Sequence, residues 1–184
     1  IKEDYIEHYI TNKTRCIMPV SLMGRMPDMD DIQDIAYKHR LRIILDNCEG
    51  YGGTYKEKFG EQWADFTTAS NYVAHILGGI EQGIVCCNNE YFKDLILSIR
   101  SHGRAVDSLY FNHERFGGNF KPTDLGASII LGNIDAFWGI FNKRRENYKY
   151  MRTKLDNLSN IFIFLDEDLV RMNAPHAFSL IFRY

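Results

Sequence analysis

Leu41-Arg42-Ile43-Ile44-Leu45-Asp46-Asn47-Cys48-Glu49 opens as an almost unbroken apolar run and closes on two carboxylates. A run of this kind predicts a strand covered on both faces, as in a parallel sheet. Upstream, residues 15–20 form a second short apolar run closed by Gly24 and Pro27, which predicts another buried strand. Between them Asp28 can cap a helix reaching Arg40, with Met29, Ile32, Ile35 and Ala36 at helical spacing. Strand, helix, strand at this spacing is a βαβ unit, right-handed by default, and it sets the class as α/β.

Working outward, Gly50, Gly52 and Gly53 make a glycine-rich turn, and residues 65–70 read as a further strand. A loop through His75-Ile76-Leu77-Gly78-Gly79 leads to a strand at 83–87 and then a helix at 90–101, ended by His102-Gly103. Residues 104–118 are expected to be a long loop, and Thr123 to cap a helix reaching about Gly132. A long helix follows over 135–158 with Lys143-Arg144-Arg145-Glu146 on its wet side, then strand-like runs at 161–165 and 178–184. The division this suggests is 1–134 as one domain, and 135–184 as a connecting helix plus the start of a small second domain.

The chain has 184 residues, 45% hydrophobic and 25% charged, which is ordinary for a soluble globular protein. A formal net charge of −2 argues against nucleic acid as the main partner. No apolar run approaches the roughly 20 residues that cross a bilayer, and Ile1-Lys2-Glu3-Asp4-Tyr5 does not read as a signal peptide. Cys16, Cys48, Cys86 and Cys87 lack zinc-site spacing and are expected to be reduced core residues of a cytoplasmic protein. The missing initiator methionine and a closing run that reads as a strand in progress suggest a piece of a longer protein.

Functional residues in open α/β sheets collect beyond the carboxyl ends of strands, where Asp46 falls. A carboxylate there needs a positive partner, and a protonated pyridine nitrogen is one. An acidic strand end, then Ser70, then a reactive side chain five residues on, His75, suggests a pyridoxal-phosphate site. A lysine normally holds that cofactor covalently; an imidazole cannot, and what it retains is proton transfer. Taken singly, each residue also has an ordinary reading: Asp46 as a cap or turn residue, Ser70 as a strand-end serine, His75 as a structural histidine, Asn119 as a turn stabiliser. His102, Arg104 and Arg115 could bind an anion or simply sit in a solvated loop. A zinc site at His102 and His113 has no supporting spacing, and no Gly-x-Ser-x-Gly elbow supports a serine hydrolase.

The order of the motifs separates these readings. Residues 17–25 (Ile-Met-Pro-Val-Ser-Leu-Met-Gly-Arg), Asp28-Met29-Asp30-Asp31-Ile32, Leu45-Asp46-Asn47-Cys48-Glu49, Ser70-Asn71-Tyr72-Val73-Ala74-His75, Ser101-His102-Gly103-Arg104 and Gly118-Asn119-Phe120-Lys121-Pro122-Thr123-Asp124 resemble the nucleotide-sugar aminotransferases of the DegT/StrS type. The likeness extends in order over most of residues 10–155, and Ala174-Pro175-His176-Ala177-Phe178-Ser179 is similar to that family's entrance to its small domain. It implies a fold-type I pyridoxal-phosphate enzyme with a three-layer α/β/α large domain and mostly parallel sheet. Residues 1–134 would be the second half of that domain and 135–184 would lead into a small α+β domain. It further implies a homodimer with shared active sites. By position Asp46 would pair with the pyridine nitrogen, and Ser70 would bind the cofactor phosphate. Glu49 would stand near the ring in place of glutamine, and Asn119 would reach the phosphate from the partner subunit.

His75 takes the place of the lysine, as in the sugar 3-dehydratases of this family. That branch implies pyridoxamine phosphate, made from pyridoxal phosphate and glutamate or delivered ready-made. Its substrate would be a nucleotide-linked 4-keto-6-deoxy sugar losing its 3-hydroxyl, with His75 as base. Two alternatives stand beside it: a sugar aminotransferase with glutamate as amino donor and a lysine such as Lys121 or Lys143, and a non-catalytic binding relative. Ser21, Val73 and Ile80-Glu81-Gln82-Gly83 depart from the family's usual histidine, proline and Gly-Glu-Gly-Gly.

Overall fold

The computed structural model describes residues 2–105 and 112–183. The chain runs through α1 (Ile6–Tyr9), β1 (Cys16–Ile17), α2 (Met29–His39), β2 (Arg42–Asp46), β3 (Thr54–Tyr55), β4 (Lys58–Phe59), β5 (Phe66–Ser70), β6 (Gly83–Cys87), α3 (Glu90–Arg100), α4 (Asp124–Asn133), α5 (Phe137–Lys154), β7 (Phe162–Ile163), β8 (Arg171–Met172) and β9 (Ile181–Phe182). The main sheet has the order β1-β2-β5-β6, parallel until β6, which runs antiparallel to β5. Two smaller sheets, β4-β3-β8 and β7-β9, are antiparallel.

The βαβ unit forms as the apolar spacing dictates. Met29 and Ile32 of α2 and Leu45 of β2 are fully buried, joined by Ile17, Ala36 and Ile43 in one core cluster. Arg40 ends α2 in the left-handed region (φ 55°), its N–H reaching the Ala36 and Tyr37 carbonyls. Asn89 and Thr123 cap α3 and α4, accepting from the N–H groups of Phe92 (3.1 Å) and Gly126 (3.2 Å). The expected long helix is α5, lengthened by short 3-10 turns at Ile134–Ala136 and Asp156–Leu158.

Several expectations need correction. The run at 15–20 yields only a two-residue strand, because Pro19 has no N–H to continue the ladder; Val20 returns as an isolated bridge to Asp46. Strand β2 is buried on the Ile43/Leu45 face alone, with Ile44 half-exposed on the other. Asp28 stands at the α2 N-cap without capping it, since its carboxylate is taken by Arg171. The cysteines are not core residues: β1 and β6 end the described sheet, leaving Cys16 exposed and Cys86 and Cys87 half-buried, Cys48 is half-buried in the turn after β2, and none of the four is in a disulfide. The basic cluster on α5 is not simply wet. Lys143 and Glu146 pair in solvent, but Arg145 is bound to Glu167 at 2.7 Å and Arg144 reaches across to the Ala74 carbonyl. Of the loop expected at 104–118, residues 106–111 lie outside the described residues.

The C-terminal segment folds back onto the first half of the chain. Strand β8 pairs with β3, placing Met172 opposite Thr54 and Arg171 opposite Tyr55. The Arg171 side chain is 8% exposed; it donates to the Met26 carbonyl (3.0 Å), contacts Asp28 and Asp168, and lies over the Tyr55 ring. Burial opposes charge on Asp168, yet the Val170 N–H and Arg171 hold its pKa down to about 2. Beyond β8 the Ala174 N–H donates to the Gly24 carbonyl at 2.9 Å. Gly24 has φ +87°, and a Cβ there would lie 1.8 Å from the Ala174 carbonyl oxygen, so only glycine permits this approach. Ala174 then packs with Ile76, Leu77, Phe137 and Phe141 in a second core.

Arg171→Ala removes a buried cation whose partners are themselves more than a third exposed (45% and 37%). Breaking such a pair is expected to cost about 2 kcal/mol, below the full penalty for a dry site. Gly24→Ala, strained in backbone and clashing with backbone, is expected to cost at least as much. Urea unfolding midpoints check both; wild-type midpoints would mean the C-terminal segment is not fastened this way.

Candidate functional site

Asp46 is the last residue of β2 and sits in register with Thr68 of β5. Its Oδ1 accepts from the Cys48 N–H (3.1 Å) and the Thr68 hydroxyl (3.4 Å). The Cys48 thiol also hydrogen-bonds the Asp46 carboxylate. Two residues on, Cys48 carries a thiol whose pKa is raised by burial and by Asp46, which leaves it protonated at neutral pH.

Glu49 lies in the turn after β2. Its Oε2 accepts from the Met23 N–H at 2.6 Å, and its Oε1 is 4.0 Å from His176 Nε2. Ser70 ends β5, and its hydroxyl oxygen accepts from the Tyr72 N–H (3.1 Å), leaving its own proton for another acceptor.

His75 sits in the 71–79 loop, which closes on itself: the Gly79 N–H reaches the Asn71 carbonyl (2.8 Å) and the Asn71 side chain donates to the Leu77 carbonyl (2.9 Å). Buried Ile76 and Leu77 anchor the loop, and Arg144 of α5 donates to the Ala74 carbonyl at 2.7 Å. The His75 ring faces that of His176, centroids 4.9 Å apart and planes tilted 33°. Burial, then His176, and more weakly Arg144, lower the His75 pKa below its ordinary 6.5; Glu49 and a hydrogen bond to the Cys48 backbone oppose them. The imidazole is therefore neutral at pH 7, with a lone pair available for a proton.

Asn119 lies elsewhere. It bridges Ser101 and borders an open cleft of about 890 Å³ with Thr68, Ala69, Gly83, Ile99 and Lys121, and it makes no hydrogen bond to Asp46, Glu49, Ser70 or His75. The structure thus gathers Glu49 and His75 at one edge, leaves Asp46 and Ser70 at the ends of adjacent strands, and sets Asn119 apart. Arg115 is used locally, donating to the Ser98 hydroxyl at 2.5 Å, and the His102 carbonyl meets the His113 ring at 2.9 Å. Lys143 pairs with Glu146 in solvent. Sequence reasoning assigned no site role to His176 or Arg144; both reach His75 only through tertiary packing. Among the described residues no cluster of metal-ligating side chains occurs, and no helix is long and apolar enough to cross a membrane.

The strand–helix–strand core, with Asp46 and Ser70 at strand ends and His75 in the loop beyond, has the fold of the fold-type I pyridoxal-phosphate-dependent transferases, as superposition on a solved relative shows. NtdA from Bacillus subtilis, solved with its bound cofactor PMP, superposes with a TM-score of 0.86 at 29% identity, covering 100% of this chain and 41% of that one. The chain belongs to the DegT/DnrJ/EryC1/StrS aminotransferase family, whose sequence profile matches residues 1–183. It is 28% identical to dTDP-4-dehydro-2,6-dideoxy-D-glucose 3-dehydratase of Saccharopolyspora spinosa over 95% of this chain, and 30% identical to GDP-perosamine synthase of Escherichia coli O157:H7 over 85%. It spans 41% and 43% of the lengths of those two proteins.

The His75 environment gives stability a definite pH dependence. Below pH 6.5 the unfolded chain takes up a proton at this position that the native state resists, so stability falls as pH drops through 6.5 and this contribution is flat above it. In His75→Gln the acid-side slope is expected to be shallower. Urea midpoints at pH 5.5 and 7.5 in both proteins read the difference; parallel slopes would contradict a depressed imidazole.

Proposed function

We propose that this chain carries the proton-transfer half of a pyridoxamine-phosphate-dependent nucleotide-sugar dehydratase, acting in the cytoplasm as a homodimer. The observation that carries the reading is the half-buried His75, its pKa lowered by burial and then by His176, at the position where the resemblance implies the family's lysine. When bound, the cofactor would supply an amine for the sugar's keto carbon and a ring that accepts electrons. The residues present suit such a group. Asp46 presents a carboxylate at the end of β2 for a protonated ring nitrogen, and the Ser70 hydroxyl has an unused proton for the phosphate.

In this reading His75 would move the proton of the dehydration, accepting it as base and giving it to the departing 3-hydroxyl of a 4-keto-6-deoxy sugar, which leaves as water. Glu49, pinned by the Met23 N–H, flanks the site, and Asn119 serves the neighbouring subunit of the dimer. Residues 1–134 would form half of the cofactor-binding domain, and 135–184 would join it to a small domain. Support comes from the named sugar dehydratases among its relatives, including GDP-4-keto-6-deoxy-D-mannose 3-dehydratase of Yersinia pseudotuberculosis at 28% identity over 78% of this chain.

The test is cofactor titration of the whole protein, followed by visible absorbance, borohydride trapping and intact mass. Tight pyridoxamine-phosphate binding without a covalent adduct is expected, whereas His75→Lys should capture pyridoxal phosphate in borohydride-reducible form. A reducible adduct in the unsubstituted protein would establish the aminotransferase reading, with a lysine such as Lys121 as the holder. Binding of neither cofactor would leave a non-catalytic relative.

A further inference from the structure

Arg144 brings a guanidinium to the residue before His75 without an anion to match it. Its Nη2 donates to the Ala74 carbonyl at 2.7 Å, a neutral acceptor, and among the described residues it forms no ion pair. Its neighbours on α5 show the usual compensation: Arg145 binds Glu167 at 2.7 Å and Arg152 binds Asp166 at 2.9 Å. Glu49, the acid at this edge of the site, is committed to the Met23 N–H. A half-buried guanidinium costs free energy unless negative charge accompanies it, and burial alone pulls the Arg144 pKa below its ordinary value. The Ala74 carbonyl takes one of the five N–H donors that a guanidinium carries, and the rest of the fork is unused.

The same side chain lines a cavity of about 150 Å³ between α5 and the segment after β8. Asn147, one turn along that helix face, adds an amide that makes no hydrogen bond among the described residues. The His176 ring and Phe178 stand across from them, and the Tyr148 hydroxyl is turned to Asp166 at 3.3 Å. No carboxylate lines the cavity. We infer that Arg144 and Asn147 form an oxyanion subsite beside His75, taking one phosphoryl or carboxylate group of a larger ligand. Sites for whole small molecules start at roughly 300 Å³, so this cavity has room for a single charged group. The guanidinium fork matches two oxygens of either group. The His176 ring is 4.9 Å from that of His75, so a group held here anchors its ligand next to the base. Which ligand bears the anion rests on the reading above: the diphosphate of a nucleotide-linked sugar for a dehydratase, the carboxylate of an amino donor for an aminotransferase.

The test is calorimetric titration of the cofactor-free whole protein with inorganic pyrophosphate, dTDP and L-glutamate, in the unsubstituted form and in Arg144→Gln, Arg144→Lys and Asn147→Asp. Asn147→Asp leaves the Ala74 bond in place and sets a carboxylate beside the guanidinium, where it competes with the ligand. Pyrophosphate and dTDP are expected to bind at least about tenfold more weakly in Arg144→Gln and in Asn147→Asp. Arg144→Lys should fall between, since an ammonium keeps the charge and loses the fork. Weakening confined to the two phosphates identifies a phosphoryl group as the occupant, and weakening confined to glutamate identifies a carboxylate; either supports the subsite. Weakening in Arg144→Gln alone, with Asn147→Asp unaffected, would mean that Arg144 only holds the 71–79 loop, and the proposal falls. It falls equally if no variant changes any affinity, or if the unsubstituted protein binds none of the three. Asn147 is exposed, so its substitution decides the matter should Arg144→Gln fail to fold. None of these titrations involves cofactor or turnover, so failure here is distinct from failure of the dehydratase reading, which cofactor titration measures.

Discussion

The guanidinium of Arg171 is the fastening on which the candidate site depends. A cation that is 8% exposed persists only when its donors are satisfied, and Met26, Asp28 and Asp168 do this while Tyr55 covers its face. Because Asp28 begins α2 and Tyr55 lies on β3, these bonds tie the C-terminal segment to two elements of the first half at once. The register this sets carries Ala174 to Gly24 and, two residues on, His176 to the edge where Glu49 and His75 meet. A fault at Arg171 would thus be felt at the imidazoles as well as in stability.

From that fastening the electrostatics of the site follow. Glu49 is held by the Met23 N–H, and Met23 belongs to the same turn that accepts the C-terminal segment, so the carboxylate and His176 are positioned by one piece of backbone. His75 arrives from another direction, on a loop clasped by Asn71 and gripped from α5 by Arg144. Three separate elements therefore contribute charge around one ring. Its protonation state is a property of the assembled fold rather than of the loop that bears it.

What the sequence made legible was local. Apolar runs and helical spacing placed β2, β5, β6 and α2 to α5 within a few residues, because each signal lies inside the element it describes. Asp46 and His75 stood out by their order along the chain, and the structure sets Asp46 at the end of β2 and His75 in the loop after β5. The role of Asp28 was misread because its competing partner, Arg171, lies 143 residues away. Cys86 and Cys87 looked like core because an apolar strand reads the same whether central or at the sheet's edge, and only the strand order distinguishes them. Arg144 looked solvated for a similar reason: a basic run on a helix gives no sign of which member snorkels inward. His176 had no local signal at all, since what distinguishes it is the ring it faces.

An imidazole in place of a lysine reverses what the surroundings must accomplish. An amine is protonated at neutral pH and needs a large pKa depression before it can accept a proton, whereas an imidazole starts near 6.5 and needs only to be kept from charging. Partial burial and nearby positive charge suffice for that, and His75 has both, from its half-buried loop and from Arg144. The same surroundings would be unfriendly to a carboxylate-rich site, where Glu49 alone would draw a proton onto the ring. Glu49 and the Cys48 backbone pull the other way, so the neutral imidazole is the outcome of a balance in which burial is the largest contribution.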